Sequence, residues 1–197
     1  MTVRRWIGSA IVASAVLGST ACRQAEPSAT ATDFAGDGGS EIEYYNTADD
    51  MLTKVDKVVV GRVVRVVRGP QSAEFSTARV FVEDRRSKSQ VEVGFVLSLP
   101  EAADQTFAEL RTALPKADAV WMLRSVEKYL PGVYRVANTA SIVEKAPDGT
   151  SQPAFYRSTA EQARAGVAPT EHRALIEELV KTRFDDLAAR AEKLAKS

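Results

Sequence analysis

The sequence predicts an α+β domain: a small antiparallel β-barrel with a helix between its third and fourth strands and a long C-terminal helix. Three observations carry this expectation. A β-branched run from Lys57 to Gly69 has the length and composition of a strand that is apolar on both faces. Phe75 to Arg85 and Val91 to Leu99 then alternate apolar and polar residues with period two. Helical spacing takes over in residues 101–114, and strand pattern returns at Ala119. The resulting order of strand, strand, strand, helix, strand, strand is that of an OB-like barrel, a five-stranded Greek-key closure, with a generic meander and flanking helices as the alternative.

Each element has a local reason. Thr47 can cap a short helix, with early negative charge from Asp50 and an apolar side from Met51, Leu52 and Val55. In the first strand, alternation puts Val58, Val60, Val64 and Val66 on one face, with Val59, Val63 and Val67 on the other. Gly61 marks a bulge or a close backbone approach, and Gly69-Pro70 ends the strand. Ala78, Val80 and Val82 form the inward side of the second strand; Val91, Val93, Phe95, Leu97 and Leu99 form that of the third. Arg86 to Ser89 is the turn between them, and Pro100 closes the third strand. Phe107, Leu110 and Leu114 face inward from the intervening helix, which Pro115 stops.

Ala119 to Val126 is the next strand. Leu130-Pro131-Gly132-Val133 turns the chain into a further strand or bent pair, Val133 to Val143. Pro147-Asp148-Gly149 is another turn, and Gln152 to Tyr156 is a short strand. Thr170 to Lys196 reads as one helix, because Ile176, Val180, Phe184, Leu187, Ala191 and Leu194 form a single apolar stripe. The stripe is expected to cover the barrel, with a partner-binding helix as the alternative.

The chain before residue 41 has a different character. Arg4 and Arg5 precede an apolar run, Trp6 to Leu17, and then Gly18, Ser19, Thr20, Ala21 and Cys22. Basic, apolar and small residues in that order make a secretory signal, and the apolar run falls short of the ~20 residues a bilayer span needs. Cys22, the single cysteine, directly after small residues resembles a lipobox. That resemblance implies a diacylglyceryl group on the Cys22 thiol and cleavage before it. Ser19 stands where Leu is commonest, and Ser19-Thr20-Ala21 would also suit an ordinary signal peptidase, which would release a soluble secreted factor. Residues 23–40 are rich in Ala, Ser, Thr, Gly and Asp and read as a tether that spans roughly 25 Å. The expected organisation is a signal peptide over residues 1–21, lipidated Cys22 and tether over 22–40, the barrel domain over 41–158, and a helical segment packed on it over 159–197.

The segment Met51-Leu52-Thr53-Lys54-Val55-Asp56-Lys57-Val58-Val59-Val60-Gly61-Arg62-Val63, a helix and an acidic residue before a valine run broken by glycine, resembles a pattern in uncharacterised secreted lipoproteins of high-GC Gram-positive bacteria. The resemblance covers the lipobox and first strand, and the rest only as architecture. It implies a signal peptide, a tether and a small β-rich domain on the extracytoplasmic face of the cell membrane. It implies no reaction.

Charge and residue supply narrow the function classes. The chain has 26 basic and 26 acidic side chains; loss of residues 1–21 removes Arg4 and Arg5 and leaves 24 basic against 26 acidic. That balance and export disfavour nucleic acid as a partner. One histidine, His172, and one cysteine cannot build a zinc site, and no Ser lies in a nucleophile-elbow motif. His172 reads as a surface residue. Asp49-Asp50 and Asp185-Asp186 read as solvated helix surface, since adjacent carboxylates on a helix diverge. The reading assigns no catalytic residue, metal or cofactor and leans against an enzyme; an exported hydrolase with a carboxylate or Ser site is the alternative. Between Lys57 and Lys88 eight basic residues face three acids. Arg62, Arg65, Arg79, Arg85, Arg86 and Lys88 are the candidate site for an anionic ligand, an envelope polymer or lipid headgroup; the plainer reading, which the sequence favours, is that these charges solvate strand surfaces and discourage edge pairing. Alternation puts Arg62 and Arg68 on one strand face and Arg65 on the other. The expected partners are the membrane, through the lipid on Cys22, and an envelope protein or anionic envelope polymer.

Overall fold

The structure is a computed structural model that describes residues 45–71, 76–97, 102–126, 131–168 and 172–195. The signal, Cys22 and the tether lie outside the described residues, as do Leu99, Pro100, Leu130 and Thr170. The described residues form an α+β fold with a seven-stranded mixed sheet and five α-helices.

Helix α1, Ala48–Lys54, begins as its sequence dictates: the Thr47 hydroxyl accepts the Asp50 N–H at 3.0 Å. Strand β1, Lys57–Gln71, is buried on both faces only over Val58 to Gly61, where one core takes Val58 and Val60 and another takes Val59; beyond Gly61 it is half-buried or exposed. Its first part, Lys57 to Gly61, pairs antiparallel with β4, Ala119–Ser125. Its second part, from Gly61 onward, pairs antiparallel with β2, Ser76–Asp84. Gly61 belongs to both ladders, and a Cβ there would lie 2.1 Å from the Glu83 carbonyl oxygen. The glycine is a close backbone approach, one of the two readings the sequence allowed.

The valine pattern of β1 differs from simple alternation. A register shift between Val63 and Arg65 leaves Val64 exposed. Beyond it Val66 packs with Val59 and Val63, on the side opposite Val58 and Val60. An extra residue in one strand reverses every following side chain, so the expected face of Val58, Val60, Val64 and Val66 is split. The strand also continues through Gly69-Pro70 to Gln71, with a second register irregularity between Arg68 and Gln71. Proline, which lacks an N–H, is tolerated at such an interruption. The Thr77 hydroxyl donates to the Pro70 carbonyl at 2.6 Å.

Strand β2 pairs antiparallel with β3, Gln90–Val96, and the expected inward residues Ala78, Val80, Val82, Val91, Val93, Phe95 and Leu97 are buried. Helix α2, Ala103–Ala113, buries Leu110, with Leu114 just past its end, while Phe107 is half-buried. The expected strand after the Leu130–Val133 turn is a bent pair: β5, Val133–Val136, and β6, Ile142–Lys145, lie in succession along the same edge of β4. Strand β7, Ser151–Pro153, pairs with β6 across the Pro147–Gly149 turn, then gives way to a 3-10 turn, Ala154–Tyr156, instead of continuing as strand.

The sheet is not purely antiparallel, because β3 and β5 pair in parallel. The reason is parity. The pairings β1–β2, β2–β3, β3–β5, β5–β4 and β4–β1 form a circuit of five. Strand direction cannot alternate around an odd-membered ring, so one pair must be parallel.

Two apolar cores lie on opposite faces of β4. Trp121 and Leu123 join Val59, Val80, Val93 and Leu110 in one. Val120 and Met122 join Val58, Val60 and the helices after β7 in the other. The Trp121 indole N–H donates to the Gly61 carbonyl at 3.2 Å, which satisfies the polar atom of a fully buried ring.

Helix α3, Arg157–Arg164, is held to the β6–β7 hairpin by polar contacts. Arg157 forks onto Glu144, which also accepts from Gln152, and Arg164 donates to Gln152 and lies 3.2 Å from Asp148. The expected helix from Thr170 to Lys196 is instead two: α4, Arg173–Leu179, and α5, Phe184–Leu194. Between them the chain extends to meet the hairpin. Ser151 N–H donates to the Thr182 carbonyl at 2.8 Å, Phe184 N–H donates to the Gly149 carbonyl at 3.1 Å, and Arg183 bridges Thr150. Strand-like partners replace the intrahelical bonds, so the break leaves these backbone groups satisfied. The stripe survives the break: Ile176, Val180, Phe184, Leu187 and Ala191 all enter the helix-side core. Leu194 does not, and stays 38% exposed.

Candidate functional site

The six candidate cations fall into two groups. Residues opposite one another in an antiparallel pair share a face. Arg62 lies opposite Glu83, Arg65 opposite Phe81, and Val67 opposite Arg79. Arg62, Arg65 and Arg79 therefore share the outer face of β1 and β2. The bulge after Val63 corrects the expectation that Arg65 faces away from Arg62. Arg68 is the residue moved to the other side, where its guanidinium lies 4.8 Å from the centre of the Phe107 ring and pairs with Asp104.

Much of this positive charge is already engaged. Arg62 lies 3.3 Å from Glu83, and Arg79 lies 2.9 Å from Glu92. Arg65 stacks its guanidinium 3.9 Å from the centre of the Phe81 ring, an exposed cation–π contact. Arg85 pairs at 2.5 Å with Glu192 on α5.

Arg85, Arg86 and Lys88 occupy the turn between β2 and β3. Asp84 builds that turn: one carboxylate oxygen accepts the N–H groups of Arg86 and Ser87, each at 2.8 Å. Partial burial pushes the Asp84 carboxyl up, but the Ser87 and Arg86 backbone donors, the Ser87 hydroxyl and the Arg86 charge outweigh it and hold it below the ordinary value of 3.8. Lys88 takes a left-handed backbone, φ +60°.

The turn forms one wall of a cleft of about 860 Å³. The end of α1, the start of β1 and the end of α5 form the others. Its apolar lining includes Leu52, Val55, Val58, Val60, Val91 and Leu194, and Lys57, Arg86, Ser87 and Ser89 bring polar groups to it. Three carboxylates also line it, each engaged by the protein. Asp84 holds its turn, Glu192 holds Arg85, and Asp56 accepts the Ser125 N–H at 2.8 Å and lies 3.5 Å from Arg124. Arg86 reaches the Glu192 carbonyl at 3.3 Å, and Lys57 lies 5.3 Å from the centre of the Tyr134 ring.

His172 is not a surface residue standing by itself, as its position suggested. It is half-buried, its Nε2 lies 3.2 Å from the Thr139 hydroxyl, and its ring meets Tyr156 edge-on at 5.8 Å. Thr139 and the Tyr156 hydroxyl are 2.8 Å apart. The His172 backbone is left-handed, φ +46°. The cluster joins residues 17 and 33 positions apart, a spacing that carries no local signal. The paired carboxylates at helix starts serve as ion-pair anchors. Asp49 meets Arg190, Asp50 meets Lys54, and Asp185 meets Lys145. Among the described residues no group of three or more His, Cys, Asp or Glu is placed to hold a metal ion, and no helix is long and apolar enough to cross a membrane.

In comparisons with known proteins, the chain matches no family model, no curated sequence and no solved structure.

Proposed function

We propose that this chain is an extracytoplasmic lipoprotein: Cys22 carries the lipid anchor, residues 23–40 are the tether, and an OB-like barrel serves as a non-catalytic binding module. The observation that carries the reading is the position of the single cysteine, directly after Gly18-Ser19-Thr20-Ala21 and an apolar run with a basic start. The five-strand circuit, with α2 between β3 and β4, supports the OB-like assignment. A cleft of about 860 Å³ falls in the size range of small-molecule sites, roughly 300–1,000 Å³, and supports a binding role. On this reading the partners are envelope components, a protein or an anionic polymer, met outside the cytoplasmic membrane.

The test is fractionation of a bacterial host expressing the wild type or Cys22→Ser. The wild type is expected in the membrane fraction and the variant in the soluble extracytoplasmic fraction. A wild type that is soluble outside the cell overturns the anchor and leaves a secreted factor.

A further inference from the structure

The outer face that holds Arg62, Arg65 and Arg79 continues beyond β2. Val82 and Val93 enter the core inside the circuit of strands, so Glu83 and Glu92 beside them point out, with Phe81 opposite Glu92. Glu92 pairs with Val133, which carries the same face onto β5. Val136 enters the inner core, and Arg135 before it faces out. The helices leave this surface open. Among the described residues, the helix-side core takes side chains from the first part of β1 and from β4, and none from β2, β3 or β5.

The charge on this face does not cancel. Glu83 and Glu92 are each taken by an arginine, Arg62 and Arg79. Arg65 and Arg135 form no ion pair among the described residues; their contacts are the Phe81 ring and the Val136 carbonyl. A guanidinium stacked on a ring keeps its N–H edges for a planar oxyanion. Between these two cations Gly94 lies opposite Arg79 and leaves the middle of the face without a side chain. Phe81 and Val67, half-buried and outside both cores, set apolar surface beside the cations. From β1 to β5 the face crosses three strand spacings, about 14 Å, the reach of a few linked sugars. Cations and apolar side chains around a shallow floor complement sugar rings that bear carboxylates. The oxyanions meet the guanidinium groups, and the C–H faces of the rings meet Phe81 and Val67. Nucleic acid fits less well, because its bases need a ring open for stacking and Arg65 covers the Phe81 ring.

We infer that this face binds an acidic polysaccharide, with carboxylates of one chain on Arg65 and Arg135 and a sugar ring over Gly94. The inference rests on the proposed reading of a binding module for an anionic polymer, and narrows it to one polymer class and one surface. It does not rest on the anchor at Cys22.

The test titrates the full chain carrying Cys22→Ser with oligogalacturonate at physiological ionic strength, followed by calorimetry. Saturable binding is expected. Arg65→Glu combined with Arg135→Glu should weaken it at least about tenfold. Gly94→Gln should do the same by filling the floor; a Cβ there meets nothing closer than Val133 at 3.4 Å, so the fold accepts it. Arg173→Glu combined with Lys193→Glu makes the same change of net charge on α4 and α5 and should leave binding unchanged. The methyl-esterified oligomer, which keeps the rings and loses the charge, should bind at least about tenfold more weakly. Circular dichroism and thermal melting check that each variant is folded. Absence of binding, unchanged affinity in either folded face variant, an equal loss in the helix variant, equal binding of the esterified oligomer, or tighter binding of single-stranded DNA would each overturn the inference. Binding of inorganic polyphosphate without binding of oligogalacturonate would also overturn it, and would leave the broader anionic-polymer reading standing.

Discussion

Gly61 shows how much one residue can decide. Its carbonyl accepts from Trp121, its backbone joins the ladders to β2 and β4, and the Glu83 carbonyl occupies the space a side chain would need. Gly61→Ala must push two backbones apart and should cost at least about 2 kcal/mol, read from urea unfolding. An unchanged midpoint would mean that the strands do not pack this closely. Asp84 acts through its charge. Its folded carboxyl sits below the ordinary value, so its contribution is fully present above the unfolded value and is lost as pH falls through the folded one. Asp84→Asn keeps an acceptor oxygen and loses only a solvent-screened charge, so it should lower stability at neutral pH by less than about 1 kcal/mol, with wild type and variant converging as the carboxylate protonates, measured by unfolding at stepped pH. Gly61 was legible in the sequence, because a glycine inside a valine run has few other uses. His172 was not, since Thr139 and Tyr156 reach it only through the tertiary fold.

At the scale of elements, periodicity located strands and helices well and failed where the chain breaks its own period. Alternation through β2 and β3 matches the buried residues one by one, because both strands are regular. In β1 the bulge after Val63 reverses the faces, so Arg62 and Arg65 come together when counting by twos separates them. The last helix fails in the same way. A stripe records which side chains face the core and does not record whether the backbone stays helical between them. Here the hairpin at Gly149–Ser151 supplies strand-like partners, and the chain breaks between Leu179 and Phe184 without losing the stripe. Two substitutions separate stripe from burial. Phe184→Ala removes a buried ring and should cost about 3–5 kcal/mol. Leu194→Ala, at the exposed end of the same stripe, should stay within about 0.5 kcal/mol, both by denaturant titration. Equal losses would mean that α5 packs along its whole length.

For the whole molecule, the strand and helix patterns in the sequence carried the α+β class; they did not carry the parallel β3–β5 pair, which arises only because five strands pair in a ring. The candidate site was less legible. The six cations were read from charge alone, whereas the fold pairs Arg62, Arg79 and Arg85 with acids and places Arg86 in a cleft with Lys57. That cleft collects walls from four elements, including residues 52 and 194, which no local pattern connects. The proposed anchor rests on local pattern alone, and so it is the claim one measurement can decide. Intact-mass analysis of the wild-type protein from the membrane fraction should give a chain that begins at Cys22 and carries the diacylglyceryl mass on that residue. An unacylated chain in the medium, cut after Ala21 or elsewhere, would contradict the account and make the protein a secreted factor.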